Sequence, residues 1–200
     1  MTRIWDPLIR IFHWSLVAAY VVAWLTADEW DRLHEISGYV IVALIAIRLV
    51  WGVVGSPYAR FAQFVTGPRA TLAYLADMAH WTERRYLGHN PAGAAMVLAL
   101  LLTLSGTALT GWLMVEPSRL ALLPEMPQIL APAWAGDEDS GEVGGKEVLK
   151  DLHEVLANLT LFLVALHVAG VLLASVRHRE NLARAMLSGD KRAPEPGDIA

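Results

Sequence analysis

The sequence predicts an all-α integral membrane protein built as a bundle of four transmembrane helices. The chain has 200 residues, 55% of them hydrophobic, and its mean hydropathy of +0.40 is too high for an ordinary soluble domain. Four apolar windows account for nearly all of this excess, and each is close to the length of about 20 residues that spans hydrocarbon. These windows cover residues 11–27, 36–54, 93–115 and 152–176.

The first window is expected to be a retained helix rather than a cleaved signal peptide. It begins with a histidine and a tryptophan, and no convincing small-residue cleavage site precedes the second window. The chain has no cysteine, which excludes disulfides, thiolate-bound iron-sulfur clusters and covalently attached c-type haem. Any bound metal must therefore be held by histidines or carboxylates.

The distribution of lysine and arginine predicts the orientation of the helices. Four spans place both termini on one side of the membrane, together with the connection over residues 55–90. That side carries eleven basic residues, whereas the other two connections carry four. By the positive-inside rule, both termini are expected in the cytoplasm.

The fourth window carries two histidines, His153 and His167, and one other ionisable residue, Glu154. Fourteen residues of α-helix turn by about 1400° and rise by about 21 Å, so the two imidazoles share one face at different depths. Titratable rings that face lipid are costly, so both should point into the bundle. One histidine in an apolar helix is most often a satisfied core residue. Two on one face indicate two buried sites, one above the other.

The other helices supply a partner for each of these rings. Helix one runs outward from His13, and helix two returns from His34 on the outer side. Since helix four starts outside, His153 is outer and His167 is inner. The histidines therefore sort into two levels, His13 with His167 and His34 with His153. The third span has no histidine, and its small and hydroxylated residues allow a helix or a bulky planar ligand to approach closely.

Two facing imidazoles at each of two levels suit six-coordinate iron in a porphyrin that is not covalently attached. Zinc would need about four ligands, and an outer site of two histidines with Glu35 and Glu154 is the alternative. However, adjacent residues point about 100° apart on a helix, so these glutamates do not easily share a ligand face with their neighbouring histidines. The sequence thus predicts a four-helix bundle with two stacked b-type haems, each iron bound by two histidines.

Two arginines are candidates for contact with the haem propionates. Arg48 follows His34 by fourteen residues and shares its face at cytoplasmic depth, where a buried guanidinium needs an anion. The propionates would supply that anion, and Arg10 is a second candidate at the inner level. In the other interpretation, the Arg48 side chain extends to the lipid headgroups.

Two glycines lie beside proposed ligands. Gly38 is one turn beyond His34, and Gly170 is three residues after His167. Both remove side-chain bulk where a cofactor would bind, although ordinary helix packing through small residues explains them equally well.

The connections are expected to contain little regular structure. Residues 71–81 form a short surface helix, and His80 and His89 nearby are expected to be solvated or interfacial. The outer connection over residues 116–150 is a loop rich in proline, glycine and acidic residues. A basic helical extension covers residues 177–187, and residues 188–200 form a disordered cytoplasmic tail. The folded unit is therefore expected to be residues 1–187.

Several motifs accompany the histidines along the chain. They are Arg10, Phe12, His13 and Trp14, His34 with Gly38, RLVWGVVG at 48–55, LGHNPAG at 87–93, TGW at 110–112, and the two histidines of helix four. Together they resemble the bacterial cytochrome b561 family, especially the cytochrome b subunits of nickel-iron hydrogenases. The resemblance covers about residues 4–187 and implies two haem b groups with those four histidines as ligands. It implies a structural or interfacial role for His89.

The histidine pairs and the resemblance imply electron transport in the respiratory chain of the bacterial inner membrane. Electrons would pass between the quinone pool and a periplasmic redox partner, a c-type cytochrome or a hydrogenase-like enzyme, and quinone oxidoreductase activity is one expectation. Quinone contact is expected near Arg10, Arg48 and the inner histidines, and the acidic outer loop would dock a basic carrier. No nucleic-acid partner is expected, and a homodimer is left open.

Two other functions remain open from the sequence. A membrane anchor of an enzyme complex would use the histidines structurally. A metal or proton transporter would use the histidines and glutamates as a ladder of polar groups across the membrane. The fairly continuous spans count against the transporter.

Overall fold

A computed structural model describes residues 1–115 and 141–199 of the chain and contains four helices long and apolar enough to cross a membrane. The sequence predicts the same number of spans. In chain order the elements are β1 (Thr2–Arg3), α1 (Pro7–Thr26), α2 (Asp31–Val54), a 3-10 turn (Pro57–Ala59), α3 (Phe61–Phe64), α4 (Pro68–His80), α5 (Pro91–Val115), α6 (Gly141–Arg177), α7 (Leu182–Ser188) and β2 (Asp190–Lys191).

The long helices pack as two close pairs, α1 with α2 and α5 with α6, and α2 joins the pairs by packing against α5. A buried apolar cluster fills the space between α1, α2 and α5. Its members are Phe12, Ala23, Ile41, Ile45, Leu101 and Leu104. Most other side chains of the spans are exposed, as expected for helices whose outer surfaces face lipid tails.

Asp6 starts α1 and ties it to the end of α2. One carboxylate oxygen caps the helix by accepting from the Ile9 amide at 2.9 Å. The other accepts from Trp51 Nε1 at 3.1 Å and from the Ser56 hydroxyl. Burial opposes ionisation of Asp6, but these hydrogen bonds outweigh it and lower the pKa of the carboxyl. The entry of the first span is thus fixed against the exit of the second.

Both termini meet the connection over residues 55–90 at one end of the bundle, which we call the inner end. The strands β1 and β2 pair in antiparallel fashion, with Thr2 opposite Lys191 and Arg3 opposite Asp190. Beneath them lies a buried cluster made from all three segments. It consists of Ile4, Trp5, Ile9, Ala59, Leu87 and Ala185. This cluster holds the inner ends of the spans in a fixed arrangement.

Helix boundaries differ from the sequence-based expectations at two places. The last span begins at Gly141, so residues 141–150, expected to be loop, are helical, whereas residues 116–140 lie outside the described residues. The basic extension after this span is not continuous with it. α6 ends at Arg177, Arg179 adopts a left-handed conformation with φ of 50°, and α7 begins at Leu182. The short surface helix expected over 71–81 is α4.

Residues 188–199, which the sequence predicts to be a disordered tail, pack into the inner end. Glu180 binds Arg85 Nη2 at 2.8 Å and the Arg192 amide at 2.6 Å, and it lies 3.6 Å from Lys191 Nζ. Asp198 also binds Arg85. We call these four side chains, Glu180, Arg85, Lys191 and Asp198, the Glu180 cluster. Its opposite charges compensate one another, which composition alone does not reveal.

Backbone pairing reinforces the attachment of the tail. The Ile199 amide donates to the Arg85 carbonyl, and the Leu87 amide donates to the Ile199 carbonyl, both at 2.9 Å. Lys191 Nζ donates to the Leu87 carbonyl at 2.9 Å. Burial lowers the pKa of Lys191, and the charge of Glu180 offsets this effect in part. The contacts of the tail with the inner end therefore continue to residue 199.

Glu180→Gln should lower the thermal stability of the protein. The substitution leaves Lys191 and Arg85 buried with one carboxylate fewer, and breaking such a pair typically costs about 3 kcal/mol. The measurement is the thermal midpoint in detergent by circular dichroism. Glu195→Gln is the matched control, because Glu195 pairs with Arg192 at the surface, where such pairs contribute less than about 1 kcal/mol. Equal midpoints in the two variants would contradict the role of the cluster.

Candidate functional site

The structure places the four predicted histidines in two facing pairs. The ring centroids of His13 and His167 are 6.5 Å apart, with the rings tilted by 53°. Those of His34 and His153 are 6.1 Å apart, with the rings at 70°. We call these the inner pair and the outer pair. Each pair joins α6 to the opposite half of the bundle, through α1 at the inner level and α2 at the outer level.

The spacing within each pair matches two imidazoles on opposite sides of one metal ion. A histidine nitrogen binds a metal at about 2 Å and lies about 1 Å from its ring centre, so two axial rings have centroids about 6 Å apart. Both measured spacings lie near this value. The rings are too far apart to stack directly on one another.

Hydrogen bonds at the outer pair fix the tautomer of both rings. His34 Nδ1 lies 2.8 Å from the Ala23 carbonyl oxygen, and His153 Nδ1 lies 2.9 Å from the Thr107 carbonyl oxygen. A carbonyl oxygen can only accept, so each Nδ1 carries the proton and each Nε2 keeps its lone pair. No hydrogen bond to either Nε2 occurs within the described residues. Both outer imidazoles are therefore in the form that a metal binds.

The third span orients His153 although it contributes no histidine itself. Thr110 Oγ1 lies 3.1 Å from His153 Nδ1, beside the bond to Thr107. A Cβ atom on Gly111 would lie 3.1 Å from His153 Cε1, so this glycine lets the ring approach the helix closely. The sequence marked Gly111 as one of several small residues in this span, but it carried no signal that Thr107 or Thr110 would contact a histidine.

The inner pair is held differently. His13 Nδ1 is buried without a hydrogen-bond partner among the described residues, and none of their hydrogen bonds reaches His167. The His13 ring instead meets the Trp14 ring edge to face, with centroids 5.1 Å apart. Packing rather than hydrogen bonding therefore positions the inner imidazoles.

Arg48 is a buried cation that forms no ion pair with any described residue. It is 3% exposed, and its guanidinium carbon lies 4.5 Å from the centre of the Phe61 ring and 5.9 Å from that of Phe64. Its Nη1 is buried and has no hydrogen-bond partner in the described part of the chain. The side chain therefore does not extend to the lipid headgroups. It keeps a donor available for an anion.

Arg10, the second candidate for an anion contact, is partly engaged elsewhere. Its Nη1 donates to the Leu187 carbonyl at the inner end, and its Nε is buried with no partner among the described residues. The two glycines lie beside open space. A Cβ atom added at Gly38 or Gly170 would meet no atom within 4 Å. Both glycines therefore border open space and not a packed neighbouring helix.

The described residues do not assemble the alternative site for a zinc ion. Within residues 1–115 and 141–199, no group of three or more histidine, aspartate or glutamate side chains converges to hold a metal. Glu154 instead faces Lys150 at 3.8 Å on an exposed helix surface. The histidines occur as pairs, which suits a cofactor that provides the remaining metal ligands itself.

His89 lies at the inner end, where the sequence predicts a solvated or interfacial ring. Its ring lies 4.3 Å from that of Phe64 and 4.8 Å from that of Trp5, centre to centre. The side chain keeps a partly exposed edge, but Nδ1 is buried without a partner in the described part of the chain. Burial, reinforced by the charges of Arg48 and Lys191, lowers its pKa to about 3. His89 is therefore a neutral ring at the inner end, not a solvated one.

His89→Asn should reduce the sensitivity of the fold to acid. In the unfolded chain the pKa of a histidine is about 6.5, so between that value and the folded pKa of about 3 the unfolded state binds more protons. This difference lowers the stability of the wild type as the pH decreases through that range. The thermal midpoint of the variant should fall less than that of the wild type between about pH 7 and about pH 5. An equal fall in both proteins would contradict the burial of a neutral ring.

The family described as prokaryotic cytochrome b561 has a sequence model that matches residues 4–189, nearly the whole chain. No curated protein and no solved structure gives a match. Membership of this family implies b-type haem and electron transfer in the membrane. The four apolar helices agree with a multi-pass protein of the inner membrane. The paired histidines, the matched region and the four spans lead to one conclusion: the chain belongs to the prokaryotic cytochrome b561 family.

Proposed function

We propose that this protein is a di-haem cytochrome that transfers electrons between the quinone pool and a redox partner on the periplasmic side of the membrane. The observation that carries the proposal is the presence of two facing imidazole pairs, spaced by 6.5 Å and 6.1 Å. Fourteen residues separate the two ligands on α6, which corresponds to about 21 Å along the helix axis. Two cofactor positions at two depths are what passage of electrons through a bilayer requires.

His13 and His167 would hold the inner haem b, and His34 and His153 the outer one. When bound, the haem iron would supply reversible one-electron chemistry, and ligation by two imidazoles would leave it no open position for oxygen. The protein holds each ring in place. At the outer level the Nδ1 protons are committed to backbone carbonyls, so Nε2 is directed to the metal.

Arg48 would bind a propionate of the inner haem. A buried guanidinium with a free donor and no carboxylate partner among the described residues is costly unless an anion joins it. Phe61 and Phe64 fix the guanidinium by stacking, so it is preorganised for that anion. Arg10 supplies a second positive charge at the same end, while Gly38 and Gly170 leave room beside the ligands.

The quinone would bind at the inner end. An apolar groove runs along α2 and α5 there, and Phe61, the ring beneath Arg48, forms one of its walls. Its other lining residues are Leu49, Leu98, Leu101, Leu102 and Ser105. A groove open to the lipid phase suits a lipid-soluble electron carrier, and its position keeps that carrier close to the inner pair.

The redox partner would bind at the opposite end. The structure gathers both termini and the connection over residues 55–90 at the inner end, which carries the excess of basic residues. That end is cytoplasmic by the positive-inside rule, so the outer pair lies near the periplasm. The acidic group at Asp137, Glu138, Asp139 and Glu142, expected to attract a basic carrier, contributes no described side chains.

Replacing one histidine of either pair should remove half of the bound haem. His13→Ala should abolish the inner site and His153→Ala the outer site, while the remaining haem stays low-spin because its own two ligands are intact. The measurement is haem per chain by pyridine haemochrome on purified protein. His80→Ala is the control, since His80 is exposed and lies outside both pairs. Unchanged haem content in both ligand variants would support a structural or transport role for the histidines instead.

Arg48→Gln should weaken retention of the inner haem by at least about tenfold, because a propionate left in a buried region loses its counter-charge. The measurement is the rate of haem loss to excess apomyoglobin. Arg69→Gln is the control, because it removes an arginine exposed on α4. If both variants lose haem at the wild-type rate, Arg48 does not bind the cofactor and its cation-π contacts are structural.

A further inference from the structure

The two histidine pairs are not equivalent in their hydrogen bonding. Both rings of the outer pair donate from Nδ1 to a backbone carbonyl, at 2.8 Å for His34 and 2.9 Å for His153. Neither ring of the inner pair makes such a bond to a described residue, and His13 Nδ1 is buried without a partner. The outer rings differ because a backbone carbonyl oxygen, of Ala23 or Thr107, lies within hydrogen-bond distance of each Nδ1.

At His153 the hydrogen bond has a second acceptor. The Thr110 hydroxyl lies within reach of two carbonyl oxygens of its own helix, 3.0 Å from that of Gly106 and 2.9 Å from that of Thr107. Its single proton is used there, so its oxygen lone pair faces His153 Nδ1–H at 3.1 Å. The imidazole proton is therefore shared between Thr107 and Thr110.

Such a hydrogen bond changes the metal bound on the other side of the ring. A donor bond from Nδ1 to an oxygen makes the imidazole a more basic ligand, which stabilises ferric over ferrous iron. The fixed charges act in the same direction. Arg48 at the inner level favours the reduced state, which carries one positive charge fewer, and a low-dielectric interior strengthens this effect.

We infer that Thr110 is a positioning residue for His153 and that the Thr107–Thr110 edge of α5 holds the outer haem at a lower reduction potential than the inner haem. This inference rests on the proposed function. An electron would then leave ferrous iron at the outer site and reduce ferric iron at the inner site, with no bond made or broken. The donor is a reduced protein at the outer end, and the final acceptor is a quinone, which takes up two electrons and two protons.

Redox titration of the single-haem variants tests the order of the two potentials. The haem left in His13→Ala is the outer one, and it should be at least tenfold harder to reduce than the haem left in His153→Ala. For one electron this factor corresponds to a reduction potential lower by about 59 mV. The reverse order, or equal potentials, would overturn the inference while the haem content still supported the proposed function. Absence of haem from the wild type would overturn the proposed function itself.

The wild-type protein and three threonine variants test the role of Thr110. Thr110→Val should make the lower-potential haem several-fold easier to reduce. The potential of the other haem should stay unchanged. Thr110→Ser, which restores the hydroxyl, should return it to the wild-type value. Thr103→Val is the control, because its hydroxyl bonds to carbonyls of its own helix and touches no histidine. The role of Thr110 would be overturned if Thr110→Val left both potentials unchanged. It would also be overturned if Thr103→Val shifted the lower potential by the same amount as Thr110→Val.

Discussion

Four imidazoles inside apolar helices must each find partners for two ring nitrogens, and the arrangement of the bundle follows from this requirement. A polar ring left unpaired in such surroundings is costly. At the outer level, backbone carbonyls accept from Nδ1 of each ring, and the His34 and His153 ring centroids lie 6.1 Å apart. The close pairs of helices, α1 with α2 and α5 with α6, leave the histidines to bridge between them. Metal binding at both levels would give the remaining ring nitrogens a partner.

The inner end gives the bundle its rigidity. Asp6 fixes the start of α1 against the end of α2, and the Glu180 cluster ties the C-terminal tail to the loop before α5. These contacts lie next to His89 and Arg48, and the unpaired Nη1 donor of Arg48 makes this level suited to an anion. A stable inner end keeps His13 and His167 in register. The outer ligand His153 depends instead on contacts from α5.

Much of this organisation could be predicted from residue spacing. The fourteen-residue interval between His153 and His167 depends only on helix geometry, and the partner of each ring follows from the direction of each span. The structure also gives Arg48 the buried position that its spacing indicated. The contribution of α5 could not be predicted, because the acceptor at Thr107 is a backbone carbonyl, which any residue provides. The packing of the tail could not be predicted either, since its Pro, Gly and charge-rich composition is also that of a disordered segment.

The central claim is that each facing pair of histidines binds one haem b. The most direct test is the ratio of haem to chain in the detergent-purified wild type, measured with its reduced-minus-oxidised spectrum. We predict two low-spin b-type haems per chain, one for each pair. A ratio of one would mean that one level is wrongly assigned, and a folded protein without haem would contradict the account.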